Sequence, residues 1–338
     1  MEVKNKWGRT ADMSKREEAR ESGMTNGASF QTRRHVNEGA EKHLDIYYPV
    51  LDHGFIAMVD YMGGDATIDR AARCSYGAGT RKTREVAGLI DYLVRNRHTS
   101  PLEMAEVTWH MRLPIFVARQ LIRHRTANVN EYSGRYSEML DFVYQPLPER
   151  LGKQSKTNKQ GTSVVPLNDE QKTAVTSMLR EDAERCRNHY NEFLTPEMDL
   201  SRELARIGLG VNVYTEWYWK LDMKNTLHFL SLRNDPHAQW EIREYAKIMQ
   251  NILTDAFPHL MWSFVQHQQD ATLLGHDECR LVRSIMEGKA HETTDILQDV
   301  PERQWVAEVR PKLEKLFPVR MMEGIDATRK AALEKEKE

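Results

Sequence analysis

The stretch VTWHMRLPIFVARQLIRHR, residues 107–125, combines a strand pattern with a helix pattern, and the fold class follows from it. Residues 107–113 alternate apolar and polar side chains, which predicts a β-strand with one buried face. Pro114 then opens a predicted helix, because the first helical turn leaves its N–H groups unsatisfied and proline has none to lose. We expect this helix to run through residue 125.

Strand and helix patterns also occur on both sides of this stretch. Asp169 is placed to cap a long helix, since a carboxylate accepts hydrogen bonds from free N–H groups. Residues 151–167 are rich in Lys, Gln, Thr, Ser and Asn, which predicts an exposed loop. Because regular βαβ alternation is missing, we predict an α+β fold of mixed strands with long helices. The other expected strands are 46–50, 142–144 and 211–221, and the other expected helices are 83–94, 169–193, 224–232 and 237–257.

Composition divides the chain into three predicted regions. Residues 1–44 are polar and mixed in charge, which predicts a flexible N-terminal arm with a short helix near residues 14–21. Residues 45–269 hold the apolar periodic segments and form the predicted central domain. Residues 270–338 are charged and are expected to form a helical appendage.

Charge and cysteine content argue against several classes of protein. The formal net charge of -2 does not favour a nucleic-acid partner, and no apolar run reaches the roughly 20 residues that span a bilayer. Residues 1–20 lack the apolar core of a secretory signal. The three cysteines are far apart, which argues against disulfides and a zinc cluster. We therefore expect no nucleic-acid, membrane or metal partner, and a cytoplasmic location.

A dense group of cations follows the predicted strand. Five arginines and His124 lie within residues 112–135, with Glu131 as the only acid among them. If the helix continues to residue 125, then Gln120, Arg123 and His124 share one face. Guanidinium groups donate two parallel hydrogen bonds to a phosphate, and a glycine in the following turn lets backbone amides approach an anion. The alternative is a solvated helix end whose arginines pair with distant acids.

The spacing of this group resembles the signature of flavin-dependent thymidylate synthases. Arg123-His124-Arg125 is followed by seven residues, TANVNEY, and then by Ser133. The similarity covers about residues 50–265. Three longer segments carry it: HTSPLEMAEVTWHMRLPIFVARQLIRHR (98–125), ELARIGLGVNVYTEWYW (203–219) and LHFLSLRNDPHAQWEIREYA (227–246).

This resemblance implies a reaction, cofactors and an assembly. The implied reaction is reductive methylation of dUMP to dTMP, with 5,10-methylenetetrahydrofolate as carbon donor and tetrahydrofolate as product. NADPH is the implied reductant, acting through FAD. The implied assembly is a homotetramer whose active sites are shared between protomers, and residues 45–269 are its implied catalytic domain.

The resemblance also implies roles for individual residues. Arg233 is the implied catalytic residue, placed against the uracil ring, where a permanently charged guanidinium favours ionisation at N3. His98 is implied as a ring near the flavin and the folate. The implied dUMP contacts are Gln120, Leu121, Ile122, Arg123, Glu131, Tyr132, Ser133, Gly134, Arg135, Arg206 and Arg233. The implied FAD contacts are Ser100, Arg123, His124, Arg125, Glu131, Asp222, Met223, Lys224 and His228.

Three positions depart from the family pattern. Asn128 stands where serine is common, Lys224 where arginine is common and His228 where asparagine is common. Each side chain still donates a hydrogen bond. Cys74, in AARCSYG, follows an apolar periodic segment and is expected to pack rather than react, which disfavours the thymidylate synthase class that needs a thiolate.

Three other functions are weighed against this interpretation. A nucleic-acid-binding protein would need a wider basic surface than residues 112–135 provide. A metal-dependent phosphohydrolase would need histidines paired on one helix beside an acid, a pattern that the thirteen histidines do not form. A dinucleotide-binding dehydrogenase would need a third glycine after Gly208 and Gly210.

Overall fold

A five-stranded antiparallel sheet organises the fold in the computed structural model, which describes residues 36–75, 85–156 and 160–335. The strand order is β1-β2-β3-β7-β4, and β5 and β6 form a separate two-stranded sheet. The strands are β1 (Tyr48–Val50), β2 (Gly54–Met62), β3 (Glu106–Pro114), β4 (Asn128–Glu131), β5 (Gly152–Gln154), β6 (Thr162–Pro166) and β7 (Tyr214–Asp222).

Helices of very different length surround these strands, so the predicted α+β class is confirmed. Among the described residues, none of the helices is both long enough and apolar enough to cross a bilayer. The helices are α1 (Glu38–Glu41), α2 (Asp65–Cys74), α3 (Val86–Arg95), α4 (Ile115–Leu121), α5 (Asp169–Phe193), α6 (Arg202–Ala205), α7 (Met223–Arg233), α8 (Trp240–Ala256), α9 (Pro258–Phe264), α10 (His276–Met286), α11 (Ala290–Asp299), α12 (Glu302–Gln304), α13 (Arg310–Leu316) and α14 (Val319–Lys335).

The pair of strands β3 and β7 carries the largest buried side chains. Their register places Trp109 opposite Trp219, and both indoles are fully buried. The helices α2, α3, α4, α7, α8 and α9 contribute to the same hydrophobic core. Removal of this much apolar surface from water is the main stabilising term for the sheet.

The helix after Pro114 starts where the sequence predicts but ends earlier. Pro114 is the N-cap of α4, whereas the helix stops at Leu121. The His124 N–H then donates to the Leu121 carbonyl at 2.9 Å, an i→i+3 bond of the kind that tightens helix ends. The prediction that Gln120, Arg123 and His124 share a helix face is therefore wrong.

The residues after the arginines form a strand that the sequence patterns did not predict. In β4, Asn128 lies opposite Lys220 and Glu131 lies opposite Trp217 of β7. All four residues of β4 are exposed, so the strand has no buried face that an apolar pattern could reveal. Its backbone hydrogen bonds to β7 hold it in place.

Two more expectations in the middle of the chain need correction. The expected loop at 151–167 contains the strands β5 and β6. The expected strand at 142–144 pairs only through a bridge between Val143 and Val213. The long helix 169–193 is confirmed, but its N-cap is Asn168, whose side chain accepts from the Gln171 N–H at 2.8 Å.

The chain folds onto the domain earlier than the expected boundary at residue 44. Ala40 of α1 is fully buried, and the Asn37 side chain donates to the Ala256 carbonyl at 2.7 Å. The expected helix at 14–21 lies outside the described residues. Towards the other end, α10–α14 share a second hydrophobic cluster around Trp305 and Leu313.

Candidate active site

The helix α7 carries Arg233 at its last position. Asp222 caps the start of α7 by accepting from the Asn225 N–H at 2.8 Å, which satisfies one of the free donors of the first turn. Leu230 and Phe229 are buried in the core and fix the face on which the helix lies. The end of α7 is thereby anchored next to the sheet.

His124 is held between this helix and the aromatic core. Its ring meets the Phe229 ring edge-on at 5.0 Å between centroids, and Phe229 meets Trp219 of β7 in the same way at 5.1 Å. The Arg233 Nε–H donates to His124 Nε2 at 3.0 Å. The core therefore supports a direct contact between the signature histidine and the predicted catalytic arginine.

In this contact His124 is neutral and Arg233 is charged. Since His124 Nε2 accepts a hydrogen bond, the ring is neutral and its proton is assigned to Nδ1. Burial, followed by the charges of Arg233 and His228, lowers the pKa of His124 to about 4. Burial also lowers the pKa of Arg233, but a guanidinium starts so high that it stays charged.

Several cations near the end of α4 have no acidic partner. Within the described ranges, Arg123, Arg125 and Arg233 form no ion pair. Arg123 and Arg125 are exposed, and Arg233 is half-buried. The alternative of arginines paired with distant acids holds for Arg112, whose guanidinium binds buried Glu216 at 2.7 Å, and for exposed Arg135, which pairs with Glu203. Unpaired guanidinium groups are suited to phosphate ligands.

The turn after β4 brings the predicted phosphate-binding residues beside Arg206. Gly134 is buried, and a Cβ atom there would lie 2.3 Å from Met139 Sδ and 3.2 Å from Arg206 Cδ. Glycine at residue 134 therefore lets the backbone approach Arg206 without displacing either side chain. Arg135 pairs with Glu203 at 2.7 Å, but both side chains are more than half exposed, so this pair contributes little.

The remaining predicted dUMP residues lie on either side of β4. Glu131 accepts from the Thr215 hydroxyl at 2.7 Å, and the Gln120 amide donates to Gln239. Leu121 is fully buried, so its side chain supports the fold, whereas Ile122 is exposed. Ser133 Oγ accepts from the Arg135 N–H, and the Tyr132 hydroxyl donates to the Glu138 carbonyl.

The predicted FAD residues in α7 and at its N-cap differ in which of their groups are available to a ligand. Asp222 already accepts twice from Asn225, at 2.8 and 2.6 Å. The Met223 side chain is fully buried, so only its backbone can face a ligand. Lys224 donates to Asn225 at 3.2 Å. The exposed His228 ring lies 5.9 Å from the His124 ring.

Ser100 and His98 lie on the segment that follows α3. Ser100 is exposed and opens a 3₁₀ turn, Ser100–Met104, that packs against α7. The exposed His98 ring stacks on Tyr92 of α3 at 5.6 Å with an interplanar angle of 18°. Cys74 is exposed at the end of α2, so the expectation that it packs into the core is wrong.

Sequence reasoning missed the polar partners that orient these side chains. Thr215, Glu203 and Gln239 each contact a predicted site residue, and none had been given a role. All three stand within segments quoted for the resemblance, Glu203 and Thr215 in residues 203–219 and Gln239 in residues 227–246, and that was the signal available. All three lie far along the chain from their partners, so their contacts depend on the fold.

Comparison with known proteins identifies the family. Residues 57–259 match the family model described as thymidylate synthase complementing protein. The chain is 45% identical over 276 residues to a flavin-dependent thymidylate synthase of Ruegeria pomeroyi, covering 81% of this chain and 90% of the relative. It is 46% identical over 259 residues to one of Gluconobacter oxydans, covering 76% and 84%. The chain belongs to the flavin-dependent thymidylate synthase family.

A solved structure of similar fold supports this family assignment. The UMP/dUMP methylase PolB from Streptomyces cacaoi, bound with 5-Br dUMP, superposes with a TM-score of 0.58 at 30% identity, covering 66% of this chain and 99% of PolB. The complex with 5-Br UMP gives a TM-score of 0.57 at the same identity. The predictions of an enzyme and of its family are confirmed, and flavin-dependent thymidylate synthase activity follows from that membership.

Proposed function

We propose that this enzyme methylates dUMP to dTMP in the cytoplasm, with 5,10-methylenetetrahydrofolate as carbon donor and NADPH as reductant through FAD. The observation that carries the proposal is the contact between Arg233 and neutral His124 at 3.0 Å. It leaves a charged, half-buried guanidinium without an acidic partner in the described chain, beside the unpaired Arg123 and Arg125. Such a group favours an anionic ligand.

Arg233 acts on the uracil ring in this proposal. Its Nε–H is occupied by His124, so the terminal N–H groups are the ones that face the substrate. A guanidinium remains charged throughout the reaction, and it therefore stabilises negative charge that develops at N3 without serving as a base. A uracil ring with anionic character at N3 is more nucleophilic at C5, the carbon that accepts the methylene group.

The turn after β4 binds the dUMP phosphate in this proposal. Ser133, Gly134 and Arg135 supply backbone and side-chain donors, and Arg206 adds a guanidinium against the same turn. The weak pair of Arg135 with Glu203 is easily exchanged for a phosphate, since an exposed ion pair contributes little. Gln120, Leu121, Ile122, Arg123, Glu131 and Tyr132 complete the proposed dUMP contacts.

The residues proposed for FAD fit a dinucleotide in charge and donor type. Arg123 and Arg125 present exposed guanidinium groups suited to a diphosphate, and His124 presents an Nδ1–H donor. Ser100, Glu131, Asp222, the Met223 backbone, Lys224 and His228 add polar groups, and His98 is the ring proposed near the flavin and the folate. When bound, FAD supplies the redox chemistry that links NADPH to the transferred carbon.

A homotetramer with shared active sites is part of the proposal. Ser100, His98 and Arg125 are all exposed on one chain. Ile122 and Val129, beside the cations, expose 45% and 41% of their apolar side chains. An assembly that covers these residues would enclose the site, and enclosure strengthens the electrostatic interactions within it.

The visible spectrum of the purified protein tests the proposal. We expect flavin absorbance that NADPH bleaches under anaerobic conditions, and reoxidation with methylenetetrahydrofolate that requires dUMP. The expected products are dTMP and tetrahydrofolate in equal amounts. A colourless protein that does not take up FAD, or a product pool containing dihydrofolate instead, would refute the proposed reaction.

A further inference from the structure

Three amide side chains connect the end of α7 to the turn that follows α9. The Asn234 Nδ2 group donates to Gln250 Oε1 of α8 at 2.7 Å. The Gln250 Nε2 group donates to Gln269 Oε1, also at 2.7 Å. Gln269 ends the π turn Val265–Gln269. These residues form a continuous chain of hydrogen bonds, here called the amide relay, that begins directly after Arg233.

We propose that Gln250 and Gln269 are positioning residues that hold the end of α7, and with it Arg233, in the orientation that the reaction needs. The inference rests on the proposed function, because it assigns a task to Arg233. Neither glutamine belongs to the dUMP or FAD contacts implied by the family resemblance. Both act through Asn234 rather than by touching the substrate.

The need for such a tether follows from the position of Arg233. Asn234 is the C-cap of α7, and its N–H closes the helix on the Leu230 carbonyl at 2.9 Å. Helix ends fray, since their last carbonyl groups have no partner within the helix. A side-chain bond from the cap to α8 restrains the terminal turn where the backbone ladder stops. Arg233 is the last helical residue before that restraint.

The π turn is itself fixed from two directions. Its closing bond runs from the Asp270 N–H to the Val265 carbonyl at 2.9 Å. His267 Nε2 lies 2.6 Å from Asp91 Oδ1 of α3, and the next residue of α3 is Tyr92, which stacks on His98. One turn therefore supports two candidate site residues. Single π turns within helices often occur at functional sites.

The relay residues are neutral and half-buried. Loss of the relay should therefore affect the geometry at Arg233 more than the stability of the fold. A single neutral hydrogen bond adds little net free energy to folding, because the unfolded chain bonds to water instead, so a single relay variant should leave the protein folded. A displacement of about 1 Å at a reacting group can cost on the order of 100-fold in rate. Loss of the relay should therefore lower kcat much more than it lowers the melting temperature.

Because the donor and the acceptor of each relay bond are known, variants can remove one bond at a time. Gln250→Glu keeps the size and the acceptor for Asn234 but lacks the donor that Gln269 needs. Gln269→Leu removes the acceptor, whereas the conservative Gln269→Glu keeps it. Gln268→Leu is the matched control, because Gln268 is the exposed neighbour on the same π turn. All variants are compared as FAD-loaded full-length protein.

We expect Gln250→Glu and Gln269→Leu to lower kcat about tenfold or more, with a smaller change in the KM for dUMP. Gln269→Glu should recover most of the loss, and Gln268→Leu should match the wild type. Wild-type kcat in both Gln250→Glu and Gln269→Leu would overturn the proposal. An equal loss of kcat in Gln268→Leu would overturn the proposal as well.

A readout independent of turnover is the titration of His124 by NMR in the flavin-free protein. Burial and, after it, the charge of Arg233 lower the pKa of His124, so a displaced Arg233 lets that pKa rise towards its ordinary value of 6.5. We expect the rise in Gln269→Leu, which breaks the relay without adding a charge, and not in Gln268→Leu. If the wild type forms no dTMP, the proposed function fails while this titration still tests the relay. An unchanged pKa of His124 in Gln269→Leu contradicts the proposal.

Discussion

Arginines in two parts of the molecule have opposite surroundings. In the signature segment, residues 120–135, Arg123 and Arg125 are exposed and pair with no acid among the described residues. In the C-terminal cluster, α10–α14, Arg329 is only 6% exposed and binds Glu302 at 2.7 Å, with its guanidinium over the Trp305 ring at 5.1 Å. Buried Arg329 is paired with an acid, whereas exposed Arg123 and Arg125 are not.

The difference separates arginines that hold the fold from arginines that can bind a ligand. Arg329 also donates to the Val300 carbonyl at 2.8 Å, and thereby links α14 to the end of α11. Arg310 in the same cluster binds Asp326 at 3.0 Å. A paired guanidinium has few free N–H donors, whereas an unpaired one can donate two parallel hydrogen bonds to a phosphate or a uracil. Whether an arginine is paired with an acid therefore separates structural from ligand-binding arginines better than its position in the sequence does.

The largest expected effect comes from Arg233→Ala. Removal of a preorganised donor at the reacting group costs about 10³-fold in turnover, and we expect dTMP formation to fall by at least that factor. Flavin absorbance should remain, because Arg233 contacts the uracil in this account. The measurement is single-turnover dTMP formation by FAD-loaded protein.

Arg119→Ala is the control for this loss. Arg119 is an exposed cation near the end of α4 that no proposed contact uses. Its removal should change turnover less than threefold. A comparable loss in both variants would mean that general positive charge, rather than the guanidinium against His124, supports the reaction.

A smaller effect is expected in the C-terminal cluster, on stability instead of turnover. Arg329→Met removes the bonds to Glu302 and Val300 while retaining an apolar contact with Trp305, and should lower the free energy of unfolding of the cluster by about 2 kcal/mol. Hydrogen exchange on α14 measures this change. The exposed Arg320, on the same helix, gives the control Arg320→Met, expected within about 0.5 kcal/mol of the wild type.

The pH dependence of stability gives the next smaller effect. The pKa of His124 is about 4 in the folded protein and 6.5 in the unfolded chain, so the unfolded state binds more protons between these values. The contribution of His124 is complete above pH 6.5 and is lost as the pH falls towards 4. Because the group is partly exposed, we expect about 1 kcal/mol.

Urea unfolding at pH 7 and pH 4.5 measures this contribution when the wild type is compared with His124→Gln. The wild type should lose more stability on acidification than the variant, which has no titrating ring at position 124. Equal losses in the two proteins would contradict the low pKa of His124.

The smallest effect is expected for Cys74→Ala. Cys74 is exposed and has no part in the proposed chemistry, so the variant should retain dTMP formation and unfold within about 0.5 kcal/mol of the wild type. Turnover assays check the retained activity, and urea unfolding checks the unchanged stability. Loss of turnover in a folded, FAD-loaded Cys74→Ala protein would favour a cysteine nucleophile.

Sequence patterns predicted the elements whose burial is periodic. The apolar residues of β3 lie on the core, although His110 between them is buried as well. The start of α5 is marked in the sequence by polar capping residues. The strand β4 could not be predicted, since NVNE is exposed throughout and exists through its pairing with β7.

The sequence named candidate site residues but not the contacts between them. The family resemblance named His124 and Arg233, yet their hydrogen bond joins positions 109 residues apart. Arg112 was grouped with the signature arginines, whereas the fold places it on buried Glu216. Which charges pair is decided by tertiary structure, and local sequence holds little information about it.

Equilibrium binding of dUMP and of deoxyuridine to the FAD-loaded protein tests the central claim most directly. If the unpaired cations of the signature segment bind a phosphate, dUMP should bind at least 100-fold more tightly than deoxyuridine. Added salt should reduce this ratio of affinities, because it screens the attraction between the phosphate and the cations. Equal affinity for the two compounds, or no binding of either by well-folded protein, would contradict the account.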